Sequence, residues 1–201
     1  MQNKKDKREY ICEKAYQELL AKGINKFSLN KFITELQMSK GQFYYYFKTK
    51  EELIYKTIDN KCYEVFNDRF QQTKSKSTLI EKLFTYFSFF LEESDPKFVD
   101  FNKLLKSTFH LYINTEDKEI QQLNRDFDSL IFKHIYDIFE EMIQKGYLKE
   151  EAKQFPRSLI ATADGMYLHS LMDSDYDIKT YLSEYLIMID TLLKNDHKGS
   201  E

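Results

Sequence analysis

The residues best suited to chemistry lie between Ser39 and Lys50, in the run Ser-Lys-Gly-Gln-Phe-Tyr-Tyr-Tyr-Phe-Lys-Thr-Lys. A serine followed three residues later by glutamine marks a helix N-terminus, because each side chain can satisfy the other residue's backbone N–H. In a helix opening there, Phe43 and Phe47 are four apart and share a face. Lys40, Gln42, Tyr44, Tyr45 and Tyr46 are left on or near the exposed side. Such a face suits a DNA groove, since lysine pairs with guanine O6/N7 and glutamine with adenine N6/N7, while tyrosine hydroxyls can bond phosphate oxygens. Gln42 has a competing task, folding back on the Ser39 amide, and Lys40 has one in a plain phosphate contact. Gly41 costs a helix about 1 kcal/mol relative to alanine, which is easiest to understand if a phosphate backbone must come close. Thr49 can cap the next helix, and Lys50 in its first turn can meet DNA beside that helix's N-terminal amides. Three adjacent tyrosines are equally a pattern of half-buried packing, with Tyr46 the one expected to serve the core in part.

Other constellations reject themselves. Asp173, Asp175 and Asp177 with Glu184 imitate the ends of a calcium loop, but Ile178 stands where glycine is needed. His110, His134, His169 and His197 show no HxxxH or HExxH spacing, so solvated or internally satisfied histidines are expected, with His110 or His134 as a ligand contact the alternative. No nucleophile motif or glycine-rich phosphate loop occurs. No catalytic residue, metal or cofactor is expected, and the chain is not read as an enzyme. Cys12 and Cys62 lack a CxxC partner and are expected to be reduced.

The elements that position these residues are helices. Of 201 residues, 42% are apolar, while five glycines and two prolines are too few for the turns of an all-β fold. A stripe through Ile11, Cys12, Ala15, Tyr16, Leu19 and Leu20 predicts a first helix that Gly23 closes as a left-handed cap. Ser28 can cap a short helix through Leu29, Phe32, Ile33 and Leu36, and the Ser39 helix follows it after a turn. Thr49 with Glu52 opens a long helix to about Gln72, and Thr78 with Glu81 one to about Glu93. Asp95-Pro96 opens another, Thr115 caps a run to Lys145 that Gly146 stops, and two more span about 151–173 and 177–194. The fold class is therefore all-α, about nine helices, with a three-helix head on a larger helical body. No apolar run approaches the roughly 20 residues of a membrane span, and no apolar segment follows the charged start, so a cytoplasmic protein with no membrane partner is expected. Net charge is −3, but residues 1–60 carry 12 Lys/Arg against 8 Asp/Glu, a basic head on an acidic remainder.

The stretch from Ser28 to Leu53 resembles the DNA-binding region of the TetR family of bacterial transcriptional regulators. The pattern S-x-G-x-[LF]-Y-x-[YH]-F-x-x-K-x-x-L is met by Ser39, Gly41, Phe43, Tyr44, Tyr46, Phe47, Lys50 and Leu53. One departure is Leu36-Gln37-Met38, where the family usually has Ala-Gly-Val; loss of that turn glycine bears on the angle between the two short helices. The resemblance implies a helix-turn-helix domain over 1–49 and an effector-binding and dimerisation domain over 50–201. Its DNA contacts would come from Ser28, Ser39, Lys40, Gly41, Gln42, Tyr44, Tyr45, Tyr46, Thr49 and Lys50. It also implies an inducer pocket among the middle helices, placed near Phe66, Phe87, Phe101, Leu105, Phe109, Phe127 and Ile131, for a lipophilic or aromatic small-molecule effector. A homodimer through the last two helices would use Ala161, Gly165, Leu168, Tyr181, Tyr185, Leu186 and Ile189. The resulting expectation is a repressor binding a palindromic double-stranded DNA operator. The alternatives are an activator, a regulator controlled by a partner protein, or a helical carrier or adaptor with a vestigial head.

Overall fold

The computed structural model describes residues 2–92, 96–113 and 115–195, with side chains described for 5–92, 98–107 and 115–195. Ten α-helices carry the described chain: α1 (Gln2–Lys22), α2 (Leu29–Glu35), α3 (Lys40–Tyr46), α4 (Lys50–Thr73), α5 (Leu79–Tyr86), α6 (Ser88–Leu91), α7 (Pro96–Ile113), α8 (Lys118–Gln144), α9 (Pro156–Met172) and α10 (Ile178–Leu193). Short 3-10 turns lie at Ile24–Lys26 and Glu150–Gln154. Among the described residues there is no strand, only an isolated bridge between Leu148 and Lys194. None of the described helices is long and apolar enough to cross a membrane. The expected cap at Asp95 and His197 lie outside the described residues, as do the side chains of Phe109 and His110.

Several helix boundaries follow from caps legible in the sequence. Thr78 and Glu81 form a full capping box, and the Asp177 side chain accepts from the Thr180 amide. Others differ. Ser28 occupies the N-cap position of α2 but its side chain caps nothing. Asp117, not Thr115, accepts from the first amides of α8, those of Glu119 and Ile120, while the Thr115 hydroxyl accepts from the Asp117 amide. Gly23 does end α1, but at φ 74 and ψ 161, an extended positive-φ conformation open essentially only to glycine.

The single helix expected from Thr78 to about Glu93 is two. Phe87, at φ −90 and ψ 11, breaks it. The six consecutive residues from Tyr86 to Leu91 are all buried. A straight amphipathic helix buries one stripe and turns the rest outward, so this run needs a change of direction.

The chain divides into two compact units, 1–64 with 99–125, and 65–98 with 126–201. In the first, Ile11, Ala15 and Leu19 of α1, Phe32 and Ile33 of α2, Phe43 of α3 and Leu53, Ile54 and Ile58 of α4 form the core. In the second, α10 packs on α5, α6 and α9. Both cysteines are buried free thiols, and burial raises the pKa of each.

His134 of α8 is a satisfied core histidine. It is 4% exposed, its ring stacks on Phe70 at 4.1 Å and 6°, and its Nδ1 lies 3.2 Å from the Tyr86 hydroxyl. Desolvation lowers its pKa from 6.5 to about 4; Asp137 opposes this, and Lys133 and Lys74 add to it. Because the fold favours the neutral ring, its contribution is fully present above pH 6.5 and is lost as pH falls towards 4. We expect this site to cost about 2–3 kcal/mol of stability over that window. Urea denaturation of His134→Gln should show a correspondingly shallower acid dependence than the parent chain.

Candidate nucleic-acid interface

The recognition candidate is α3, seven residues long and too short to persist alone in water. Two devices hold it. At its start, Ser39 Oγ accepts from the Gln42 amide at 3.1 Å and Gln42 Oε1 accepts from the Ser39 amide at 2.8 Å. Beneath it, Phe43 and Phe47 are essentially inaccessible, with rings stacked 5.7 Å apart. Arg8 of α1 lies 4.9 Å over the Phe47 ring and pairs with Glu52 at 3.0 Å, fixing the far end of the helix to α1 and α4.

The turn before α3 resolves the departure at Gln37. The amides of Gln37 and Met38 bond the carbonyls of Thr34 and Ile33, and Gln37 takes φ 53. This is the left-handed closure that glycine would adopt freely. Gln37 adopts it at a cost of roughly 1–2 kcal/mol, so the turn survives loss of its glycine.

What this scaffold presents matches the expected face in part. Lys40, Gly41, Gln42, Tyr44 and Tyr45 are exposed, the two tyrosines by 52% and 63%. Tyr46 is half-buried, its ring edge-on to Tyr45 at 5.1 Å. A Cβ on Gly41 would meet only Ser39 Oγ, at 3.9 Å. Among the described residues, therefore, nothing requires glycine there. Gln42 is folded back as a cap, so reading a base would require it to exchange that bond. Thr49 Oγ1 accepts from the Glu52 amide, but Glu52 turns its carboxylate to the Lys48 amide and Arg8 rather than completing a box.

Lys50 is placed differently from the expectation of a DNA contact. Its ammonium donates to the Phe27 carbonyl at 2.8 Å and lies 5.6 Å from the centre of the Phe27 ring. It ties the chain entering α2 to the start of α4, an internal task that any phosphate contact would have to share. Lys48 is exposed and pairs with Glu119 at 2.6 Å.

The candidate association face needs a sharper correction. Leu186 and Ile189 are 0% and 3% exposed within one protomer, so they cannot line a surface between two. They belong to the inward stripe of α10 with Ile178, Leu182 and Leu193. A second stripe faces out. Tyr181, Met188 and Leu192 are exposed by 47–56%, and Leu168 and Met172 of α9 are also exposed. Ala161 is exposed, Tyr185 is half-buried, and a Cβ on Gly165 would meet nothing within 4 Å. Ile187 and Met188, which the sequence marks as a second apolar face of the last helix, are both exposed, and Met172 is the member of this face that sequence reasoning missed.

Of the candidate effector residues, Phe66, Phe87, Phe127 and Ile131 fall in the second unit. The structure brings Phe66 and Phe127 together at 5.3 Å, with Phe66 also edge-on to Tyr86 and Phe89 at 5.7 and 4.7 Å. Phe101 and Leu105 lie in the first unit, buried and half-buried.

A capped short helix, held behind α2 by a closed turn and presenting polar and tyrosine side chains, makes the head a helix-turn-helix on an all-α chain. Residues 11–55 match the sequence profile of the bacterial regulatory proteins of the tetR family. The TetR-family transcriptional regulator from Cytophaga hutchinsonii has a similar structure, with a TM-score of 0.74 at 19% identity over 96% of this chain and 98% of that one. FadR from Bacillus subtilis, solved with stearoyl-CoA, gives 0.63 at 22% identity over 90% and 96%. Reduced NemR from E. coli gives 0.67 at 14% over 96% and 99%. None of the curated proteins matches the chain by sequence. Residues 11–55 thus resemble the tetR-family DNA-binding region, and the fold is that of TetR-family transcriptional regulators.

Two outcomes follow from the head's geometry. Gln37→Gly should stabilise the protein by about 1 kcal/mol in denaturant titrations, by removing left-handed strain. Lys50→Ala should destabilise it by about 1–3 kcal/mol, through loss of a charged hydrogen bond, and equal stability of parent and variant would remove Lys50 from its internal task.

Proposed function

We propose that this protein is a non-enzymatic, cytoplasmic, ligand-responsive repressor that binds a palindromic operator as a homodimer and is released by a lipophilic or aromatic small molecule. The observation that carries the reading is the α3 face: a buried Phe43–Phe47 stack holds a helix whose outward residues are Lys40, a glycine no internal packing requires, and exposed tyrosines. Tyr44, Tyr45 and backbone amides position the head on phosphates, and Lys40 reads a base edge, with Gln42 joining it once released from Ser39. Ser39, Thr49 and Lys50 support the head, Ser28 stays a candidate DNA contact at the start of α2, and residues 1–49 are the DNA-reading part and 50–201 the effector and dimer part.

The outward stripe of α9 and α10 supports a two-fold interface, because exposed Leu168, Met172, Tyr181, Met188 and Leu192 form an apolar surface of the kind a partner helix pair covers. The aromatic cluster around Phe66 supports an effector with an apolar or aromatic body, and the stearoyl-CoA held by the similar B. subtilis FadR agrees with an apolar guest. Continuous α4, which carries Lys50 at its start and Phe66 in its second half, is the element through which an effector would act. Its leverage is the effector's preference for the released state, about 1–3 kcal/mol, and DNA must lower effector affinity by the same factor.

Selection of bound genomic fragments against excess competitor DNA tests the reading. A repressor or activator enriches a palindromic site, whereas a carrier with a vestigial head enriches none. On an enriched site, Lys40→Ala should weaken binding and relax discrimination between sites, while Tyr44→Phe weakens all DNA equally. Sedimentation tests the dimer: Met188→Arg and Gly165→Arg should give folded monomers, whereas Leu186→Arg should lower thermal stability by burying an unpaired charge.

A further inference from the structure

Arg69 of α4 stands out among the buried charges. It is 7% exposed, yet among the described residues its Nε has no hydrogen-bond partner, and its Nη1 reaches the Ser88 hydroxyl only at a long 3.4 Å. Nη2 donates to Asp68 at 2.6 Å, and the guanidinium lies 5.2 Å from the centre of the Phe98 ring. A guanidinium stays charged at any ordinary pH and brings five donors in a planar fork. Leaving such a donor buried without an acceptor costs free energy, and Asp68, itself 52% exposed, offers its carboxylate to one end of the fork only.

Arg69 lines an open cavity of about 230 Å³ together with Gln72, Lys76, Phe84, Thr85, Ser88, Leu91 and Glu92. Among the described residues its polar lining is dominated by groups that can donate, the Arg69 guanidinium, the Lys76 ammonium and the hydroxyls of Thr85 and Ser88, while the Gln72 amide already donates to Asp68 at 3.1 Å. Glu92 is the one acid in that lining among the described residues. Phe84 and Leu91 supply an apolar wall. The volume is below the range of about 300–1,000 Å³ that drug-sized ligands fill.

We infer that this cavity takes a small carboxylic acid with a compact apolar or aromatic body, its carboxylate on Arg69 and Ser88 and its body against Phe84 and Leu91. The planar guanidinium matches a carboxylate in geometry, and the pairing supplies an acceptor where the fold leaves donors short. The role of this acid as effector rests on the regulatory reading above; its binding does not.

The test is calorimetric titration of benzoate into the full-length protein, in parallel with benzamide and with inorganic phosphate. We expect benzoate to bind at least tenfold more tightly than benzamide, Arg69→Gln to lose at least tenfold, and Ser88→Ala to lose a few-fold while keeping the parent's helical content. Ser88→Ala keeps the inference testable should Arg69→Gln fail to fold. Equal affinity for benzoate and benzamide, no benzoate binding up to millimolar concentration, or affinity unchanged in both variants would each overturn it. Tighter binding of phosphate than of benzoate would also overturn it, in favour of a phosphorylated ligand. Because these titrations contain no DNA, the regulatory reading is judged separately: selective DNA binding without benzoate binding leaves that reading standing, and benzoate binding without selective DNA binding leaves the site standing.

Discussion

Burial of Phe43 and Phe47 is the interaction on which the head depends. A seven-residue helix forms too few internal hydrogen bonds to offset the entropy of ordering it, so α3 exists because its inward face is a packed pair of rings. Burying each such side chain contributes about 1.5–3 kcal/mol, against about 1 kcal/mol for the Ser39 cap. The same geometry decides what is left outside. With positions 43 and 47 committed to the core, positions 40, 41, 42, 44 and 45 are turned outward together. The packing that makes the helix and the polar surface it leaves exposed are two faces of one constraint.

Arg8 and Lys50 extend that constraint. Arg8 sits over Phe47 and pairs with Glu52; Lys50 holds the Phe27 carbonyl. Both cations belong to a segment whose excess of basic residues suggests an electrostatic surface, yet each has an internal partner. Charge counting over residues 1–60 therefore overstates what is free to meet phosphate, and the exposed Lys40 and tyrosines carry more of the argument than the net charge does.

Local signals were the legible ones. The Ser39–Gln42 and Thr78–Glu81 boxes are written in residues three apart and appear as read. Misses came where a local motif competes with tertiary packing. Thr115 and Asp117 are both capping residues two apart, and only the position of α8 selects the second. The break at Phe87 answers to burial on every side, which no periodicity records. In α10 two apolar stripes interleave, Ile178, Leu182, Leu186, Ile189 and Leu193 against Tyr181, Tyr185, Met188 and Leu192, and sequence spacing cannot say which one the protomer's own core takes. Arg69 drew no notice because an isolated arginine on a helix reads as a solvated charge until its burial is known.

The central claim is that the α3 face binds DNA through phosphate contacts that position it and a base contact that selects. The most direct measurement is affinity of the full chain for an enriched fragment and for competitor DNA across a range of salt concentrations. A dimer making on the order of eight phosphate contacts should give a slope of log affinity against log salt near −7, with the enriched fragment held well above competitor throughout. A slope near zero, or equal affinity for both DNAs at every salt concentration, would contradict the account.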